Sequence, residues 1–232
     1  MISKRIEKIA SFIAHDRVAD IGTDHGYLPI FAIQSGLACY VVAADVNAGP
    51  LERARANAAA VGAERIAFRL GYGLDVLEPG EVGTIVISGM GGKLMVDILQ
   101  AGRSVVAQVG QLLLSPHLDV PYVRRQVHAL GFVIAAEDMI YDEGKYYNIM
   151  DVRAAATIAY DDEGDYSEEE YLLGRCLLRA RPPVFVEYCE HMAEHYSRIA
   201  ESITNALVLG ESGAARLAQA KRLRDMYFRQ TW

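Results

Sequence analysis

The residues best placed to do chemistry sit together in Val18-Ala19-Asp20-Ile21-Gly22-Thr23-Asp24-His25-Gly26-Tyr27-Leu28-Pro29. A short apolar run ends at Asp20-Ile21, a glycine turn follows, and a helix start lies just beyond. In an α/β sheet this strand-to-helix turn is where a nucleotide-like ligand sits, because the backbone must approach the ligand closely. Gly22 and Gly26 are spaced GxxxG, so the GxGxxG fingerprint of a dinucleotide site is not met. The carboxylate of Asp20 would repel a pyrophosphate, whereas it would hold a positively charged ligand. A tight turn in any α/β protein has glycines too. Here the turn is also dense in polar groups, at Thr23, Asp24 and His25.

Three further segments repeat the pattern of strand end, turn and helix start. Ala43-Ala44-Asp45-Val46-Asn47 lies about twenty residues on, the spacing of a βαβ unit. An acidic residue at that strand tip accepts the hydroxyls of a ribose, with Val46 beside it; Asn47 is a candidate cap for the next helix. Gly71-Tyr72-Gly73 lets the chain approach an adenine ring, on which Tyr72 can stack. Ser88-Gly89-Met90-Gly91, followed by Gly92, leaves room for a planar acceptor to approach the cofactor. A carboxylate for a cation and a second for a ribose point to S-adenosylmethionine as cofactor. The Asp/Asn-Pro-Pro-Tyr/Phe motif that grips an exocyclic amine is absent at the fourth segment, so the acceptor is not expected to be an N6 amine.

These segments need a framework to bring them together. Residues 3–15 read as an amphipathic helix with Ile6, Ile9, Ala10 and Ile13 on one face. Strand-like runs follow at Val18–Ile21, Tyr40–Ala44, Ile66–Leu70, Ile85–Ile87 and Leu112–Leu114. Helical patterns fall near 28–37, 49–62, 92–101 and 120–130, an alternation that predicts a parallel sheet covered on both faces. Two strand-like runs around Asp142-Glu143-Gly144 then predict a β-hairpin. A hairpin closing a five-strand parallel sheet is the arrangement of class I methyltransferases, so the expected fold is a Rossmann-like, seven-stranded α/β sheet. From Ser167 the pattern is wholly helical, with Phe185, Tyr188, Met192, Tyr196, Ile199, Ile203 and Ala206 at spacings of three and four. Gly210-Glu211-Ser212-Gly213 interrupts it, with Ser212 or Gly213 a candidate cap, predicting an antiparallel coiled-coil pair. The expected division is a cofactor-binding domain over 1–160 and a helical domain over 161–232.

At 232 residues, 52% hydrophobic and 23% charged, the chain has the composition of a globular protein. No run reaches the ~18 apolar residues of a membrane span, and no signal peptide is read at the start, so a cytoplasmic location is expected. Cys39, Cys176 and Cys189 are too widely spaced for a zinc site, and no metal is expected. The net charge of −7 means that any nucleic-acid contact must come from local patches. Such patches lie at Lys4, Arg5 and Lys8 and at Lys221, Arg222, Arg224 and Arg229. No oligomeric state is indicated.

In this order the segments resemble the bacterial tRNA (adenine-N1)-methyltransferase family, TrmK, which modifies adenine 22 of tRNA. The resemblance is carried by Asp20 through Pro29, by Gly49-Pro50-Leu51 with Ala54 and Asn57, and by Gly71-x-Gly73-Leu74. It continues through Ser88-Gly89-Met90-Gly91-Gly92 and Gly144-Lys145-Tyr146-Tyr147 and covers nearly the whole chain. Two positions depart from the family pattern: Tyr72 stands where Asp is usual, and Asn148 where Glu is common. The resemblance implies a methyl transfer to adenine N1, with Asp24 facing the base as its positive charge grows. Tyr27 would stack on a base flipped out of its pair, and His25 would orient Asp24 or touch the cofactor. Lys4, Arg5, Lys93 and the helical pair would hold the tRNA. The same segments also allow a small-molecule acceptor, or a catalytically silent cofactor- or RNA-binding protein.

Overall fold

The computed structural model describes residues 2–154, 165–205 and 211–232. The chain divides into two compact units, Met1–Cys176 and Leu177–Trp232. The first unit runs α1 (Lys4–Ala10), β1 (Arg17–Ile21), α2 (Tyr27–Gln34), β2 (Tyr40–Asp45), α3 (Ala48–Ala60) and β3 (Ile66–Leu70). It continues with β4 (Thr84–Ser88), α4 (Gly92–Ala101), α5 (Arg103–Val106), β5 (Gln111–Ser115) and α6 (Val120–Ala129). The strands β6 (Phe132–Asp142) and β7 (Lys145–Ala154) and the helix α7 (Glu168–Leu173) complete it, and α8 (Arg175–Ala180) straddles the boundary. The expected division at 160/161 lies outside the described residues.

Strands β1, β2, β4 and β5 are buried along nearly their whole length, with continuous apolar runs at their centres, because both faces are covered, as in parallel sheets generally. The seven strands lie in the order β3-β2-β1-β4-β5-β7-β6. The first five are parallel, and β7 runs antiparallel to both β5 and β6. Strand order reverses between β1 and β4, which opens a crevice at the carboxyl ends of those strands. The expected Rossmann-like sheet with its closing hairpin is the one observed. Pairing between β5 and β7 stops at Leu114↔Met150, whereas β6 and β7 stay paired out to Asp142↔Lys145. The hairpin therefore rises roughly 13 Å past the edge of β5, at ~3.3 Å per residue. Glu143 and Gly144 both have positive φ, as a tight two-residue hairpin turn requires.

The N-terminal helix is shorter than its periodicity predicts, ending at Ala10 rather than near residue 15. The buried side chain of Gln111 is the reason. Its Oε1 accepts the Ala14 N–H at 3.0 Å and the Thr84 hydroxyl at 2.8 Å. Its Nε2 donates to the carbonyl of Phe12 at 2.7 Å and to Asp151 at 2.9 Å. These bonds draw residues 12–14 off the helix path and anchor the end of α1 to the sheet.

A second polar anchor holds α7. Arg124 of α6 is 1% exposed, and its Nε donates to Glu137 Oε1 at 2.7 Å. Its Nη1 donates to the carbonyls of Tyr171 and Leu172 at 3.0 and 2.9 Å, groups left without a helical partner at the end of α7. At the other end of α7, Ser167 and Glu170 form a capping box. Among the described residues, no helix is long and apolar enough to cross a membrane, and no group of three or more His, Cys, Asp or Glu could hold a metal ion.

The second unit is a helical hairpin of α9 (Pro183–Thr204) and α10 (Glu211–Phe228). Arg181, ahead of α9, donates to the carbonyl of Gln230, beyond the end of α10, so the two helices run antiparallel. The deepest positions on α9 are Phe185 and the small residues Cys189, Ala193 and Ala200. Tyr188 and Tyr196 flank them, each in ring contact with Tyr227 of α10. The small side chains let the helices approach, while Tyr188 and Tyr196 lie alongside half-buried and Tyr227 is buried. Ala206 and Gly210 lie outside the described residues, whereas Ser212 and Gly213 already lie within α10, so neither is the cap expected there.

Candidate active site

The site grows from the loop after β1. The N–H groups of Gly22 and Thr23 both donate to the carbonyl of Ala44, at 2.8 and 2.9 Å, folding the turn back onto β2. Gly22 has φ +80, and a Cβ there would run into Met90 Cε. Helix α3 fixes the rest of the loop. Gly26, at φ +70, packs on Ala54, where a Cβ would come within 3.0 Å of the alanine methyl. Asn57 Nδ2 donates to the carbonyl of His25 at 3.0 Å. The Ala54 and Asn57 positions in α3 thus hold the loop that carries Asp24 and Tyr27.

Two cavities open along the carboxyl edge of the sheet and share Gly22, Ser88 and Gly89 in their walls. The first, of about 270 Å³, is lined by Asp45, Val46, Gly71, Tyr72, Gly73 and Met90, among others. Asp45 Oδ1 accepts the Asn47 N–H at 2.7 Å, and Asn47 takes the cap position of α3 with no side-chain bond. Gly71 is required by packing, since a Cβ would lie 2.5 Å from Val76.

The second cavity, of about 320 Å³, is lined by Asp20, Asp24, Tyr27, Arg5 and His117, with apolar residues of α1 and α2. Asp20 is only 8% exposed. Burial pushes its carboxyl up to about 6; the Thr23 side chain opposes this, the negative charge of Asp45 adds to it, and Arg5 opposes it least. Asp24 is exposed at the mouth, 3.4 Å from His25 Nε2 and from Arg53 Nη2. Tyr27, half exposed, stacks on His25 with ring centroids 5.4 Å apart.

These residues fit S-adenosylmethionine on their own chemistry. A buried carboxylate with a raised pKa is stabilised by a cationic ligand, and the tip of β2 presents a carboxylate of the kind that takes ribose hydroxyls. The glycines at 22, 71 and 73 bring the backbone close without side chains in the way.

Most of the residues singled out in the sequence line one of the two cavities: Asp20, Gly22, Asp24, Tyr27, Asp45, Val46, Gly71, Tyr72, Gly73, Ser88, Gly89, Met90 and Arg5. His25 and Gly91 line neither. His25, at φ +62, lies under the Tyr27 ring. Gly91 precedes α4 and bridges to Leu118. Lys4 and Lys93 are exposed on the surface. Sequence reasoning missed His117, and it read Tyr147 only as part of a family motif, with no role. His117 Nε2 lies 2.8 Å from Arg5 Nη1, and the Arg5 guanidinium lies over the Tyr147 ring at 4.8 Å. Burial lowers the His117 pKa, with Arg5 and Lys145 adding to the effect. The available signal was position: Ser115-Pro116-His117 ends the fifth parallel strand, at the same sheet edge as the other four loops.

The sheet order, the glycine-lined cavity and the second cavity abutting it define a Rossmann-like methyltransferase. A family model for the methyltransferase domain matches residues 2–150. The tRNA (adenine(22)-N(1))-methyltransferase of Bacillus subtilis (strain 168) is 31% identical over 208 residues, 88% of this chain and 87% of that protein. The crystal structure of the B. subtilis m1A22 tRNA methyltransferase TrmK matches with a TM-score of 0.85 at 28% identity, covering 100% of this chain and 99% of that one. Streptococcus pneumoniae Sp1610, in complex with S-adenosyl-L-methionine, matches with a TM-score of 0.82 at 31% identity over the whole of both chains. The chain belongs to the tRNA (adenine(22)-N(1))-methyltransferase family.

Proposed function

We propose that this protein transfers a methyl group from S-adenosylmethionine to N1 of adenine 22 in tRNA. The observation that carries the reading is the pair of cavities meeting at Gly22, Ser88 and Gly89. One is lined by Asp45, Gly71, Tyr72 and Gly73, residue types suited to an adenosine, and the other has Asp24 and Tyr27 in its lining. The family relationship supplies the acceptor.

When bound, the cofactor supplies a methyl group carried on a sulfonium. Adenine N1 has an in-plane lone pair, so no general base is needed, and the methylated base is formed as a cation. The protein's task is alignment and stabilisation of that growing charge. Asp24 holds a carboxylate at the mouth, where it faces the base edge. Tyr27 offers an exposed ring on which a base extruded from its pair can stack, supported from behind by His25. Gly89 leaves the approach between the cavities open.

The exposed Lys4 and Lys93 supply positive charge for the RNA on the first unit. On the second unit Lys221, Arg222 and Arg229 are exposed, together with Phe228 and Trp232. Cations beside exposed aromatic rings suit a nucleic-acid backbone and unstacked bases. A tRNA substrate supports a cytoplasmic location.

Asp24→Asn is expected to lower kcat on tRNA by about 10²-fold with little change in cofactor affinity, the range for loss of one preorganised electrostatic contact. Tyr27→Ala is expected to raise KM for tRNA by about tenfold, the value of one base stack. Steady-state methyl transfer to unmodified tRNA measures both. If both variants match the wild-type protein, the mouth of the second cavity is not where the base sits.

A further inference from the structure

The carboxylate that is to face the base already has a cation on it. Arg53 Nη2 donates to Asp24 Oδ1 at 3.4 Å, and His25 Nε2 lies at 3.4 Å from the same oxygen. Arg53 sits on α3 one position before Ala54, which packs on the loop at Gly26. Its guanidinium lies back toward the first turn of the helix, where Nη1 would be 3.6 Å from a Cβ at Gly49. Among the described residues it has no other ionic partner. The two side chains are 53% and 66% exposed, and such an exposed ion pair is worth at most about 1 kcal/mol. The pair is easily exchanged.

Left in place, the pair works against the reaction. Asp24 serves the positive charge that grows on the adenine, and a guanidinium on the same carboxylate cancels that field and repels the base. An anion must therefore draw Arg53 away when the substrate arrives. A nucleotide turned out of its pair brings its own flanking phosphates to the mouth. A guanidinium can meet two oxygens of a phosphate at once, which a single contact at 3.4 Å does not match. We infer that Arg53 is a phosphate contact for the RNA beside the target adenine, and that in taking the phosphate it leaves Asp24 to the base. The inference rests on the reading of the preceding section. Contacts of this kind position the substrate without reading its sequence.

The test compares Arg53→Gln and Arg53→Lys with the wild-type full-length protein. Calorimetry gives S-adenosylmethionine affinity, steady-state transfer to unmodified tRNA gives kcat and KM, and tRNA affinity is followed between about 50 and 200 mM salt. Arg53→Gln is expected to raise KM for tRNA about tenfold with little loss of kcat, and to leave S-adenosylmethionine affinity unchanged. It is also expected to reduce the slope of log affinity against log salt by about one, the share of one phosphate. Arg53→Lys, which keeps the charge, is expected to retain the slope and most of the affinity. The rise in KM is expected to persist when Asp24→Asn is added. A wild-type KM and salt slope in Arg53→Gln overturn the inference. So does a loss confined to kcat, or one that vanishes beside Asp24→Asn, since Arg53 would then act only by orienting Asp24. Weakened S-adenosylmethionine binding would put a carboxylate of the cofactor on Arg53 in place of RNA, and overturns it equally. Absence of methyl transfer to tRNA by the wild-type protein overturns the reading of the preceding section itself.

Discussion

Asparagine at position 20 is expected to yield a more stable protein that has lost most of its cofactor affinity. The Asp20 carboxyl is raised from 3.8 to about 6 by burial, against the partial relief of the Thr23 side chain and, to a lesser extent, Arg5. Between these two values the folded state holds a proton that the unfolded state has released. Stability therefore falls as pH rises through that window and stays at the lower level above it. Asparagine has the same shape without the charge. At pH 8 it is expected to raise the unfolding free energy by up to about 3 kcal/mol, and at pH 3 to change it little. Urea denaturation at the two pH values measures the difference. Cofactor affinity is expected to fall by about 10²-fold in the same variant, since a charge-assisted contact is lost in a buried site. A variant less stable than wild type at pH 8 would show that Asp20 is not held under strain for its ligand.

Removing Arg124 is expected to be the most damaging change among those considered. Glu137 is fully buried on its only cationic partner among the described residues, and the last carbonyls of α7 rely on the same guanidinium. Arg124→Leu leaves a buried carboxylate without compensation, at a cost of about 3–5 kcal/mol. The double variant Arg124→Leu with Glu137→Leu removes both charges and is expected to recover much of the loss. It cannot restore the donors to Tyr171 and Leu172, so α7 is expected to show faster amide exchange even when the fold is regained. Equal instability of single and double variants would mean that packing, not the stranded charge, sets the cost. Gly174 enforces the same arrangement from the other side, since a Cβ there would lie 2.5 Å from Glu137 Oε2 and 2.8 Å from Arg124 Nη2.

Much of this architecture was legible without coordinates, for local reasons. Apolar runs between glycine turns mark β1, β2, β4 and β5, because strands buried on both faces need no alternation. Asp20, Gly22 and Asp45 could be read because their positions relative to a strand end define their surroundings. What escaped the sequence depended on distant partners. Helix α1 stops at Ala10 because Gln111, about a hundred residues away, captures the Ala14 N–H and the Phe12 carbonyl. Arg5 reads as one of several surface cations until His117 and Tyr147 are seen to hold it at the cavity. His25 and Gly91 sit within site-like motifs, yet one supports Tyr27 and the other starts α4. On α9 the spacing of the large residues was correct, but the small Cys189, Ala193 and Ala200 reach deepest.

The most direct measurement maps the methyl group. The protein is incubated with methyl-labelled S-adenosylmethionine and tRNA lacking modification, and the labelled nucleoside and its position are then identified. The two-cavity account predicts label as 1-methyladenosine at position 22, abolished when that adenine is replaced by guanine. Label on N6, label at another nucleotide, or transfer confined to small-molecule acceptors would contradict it.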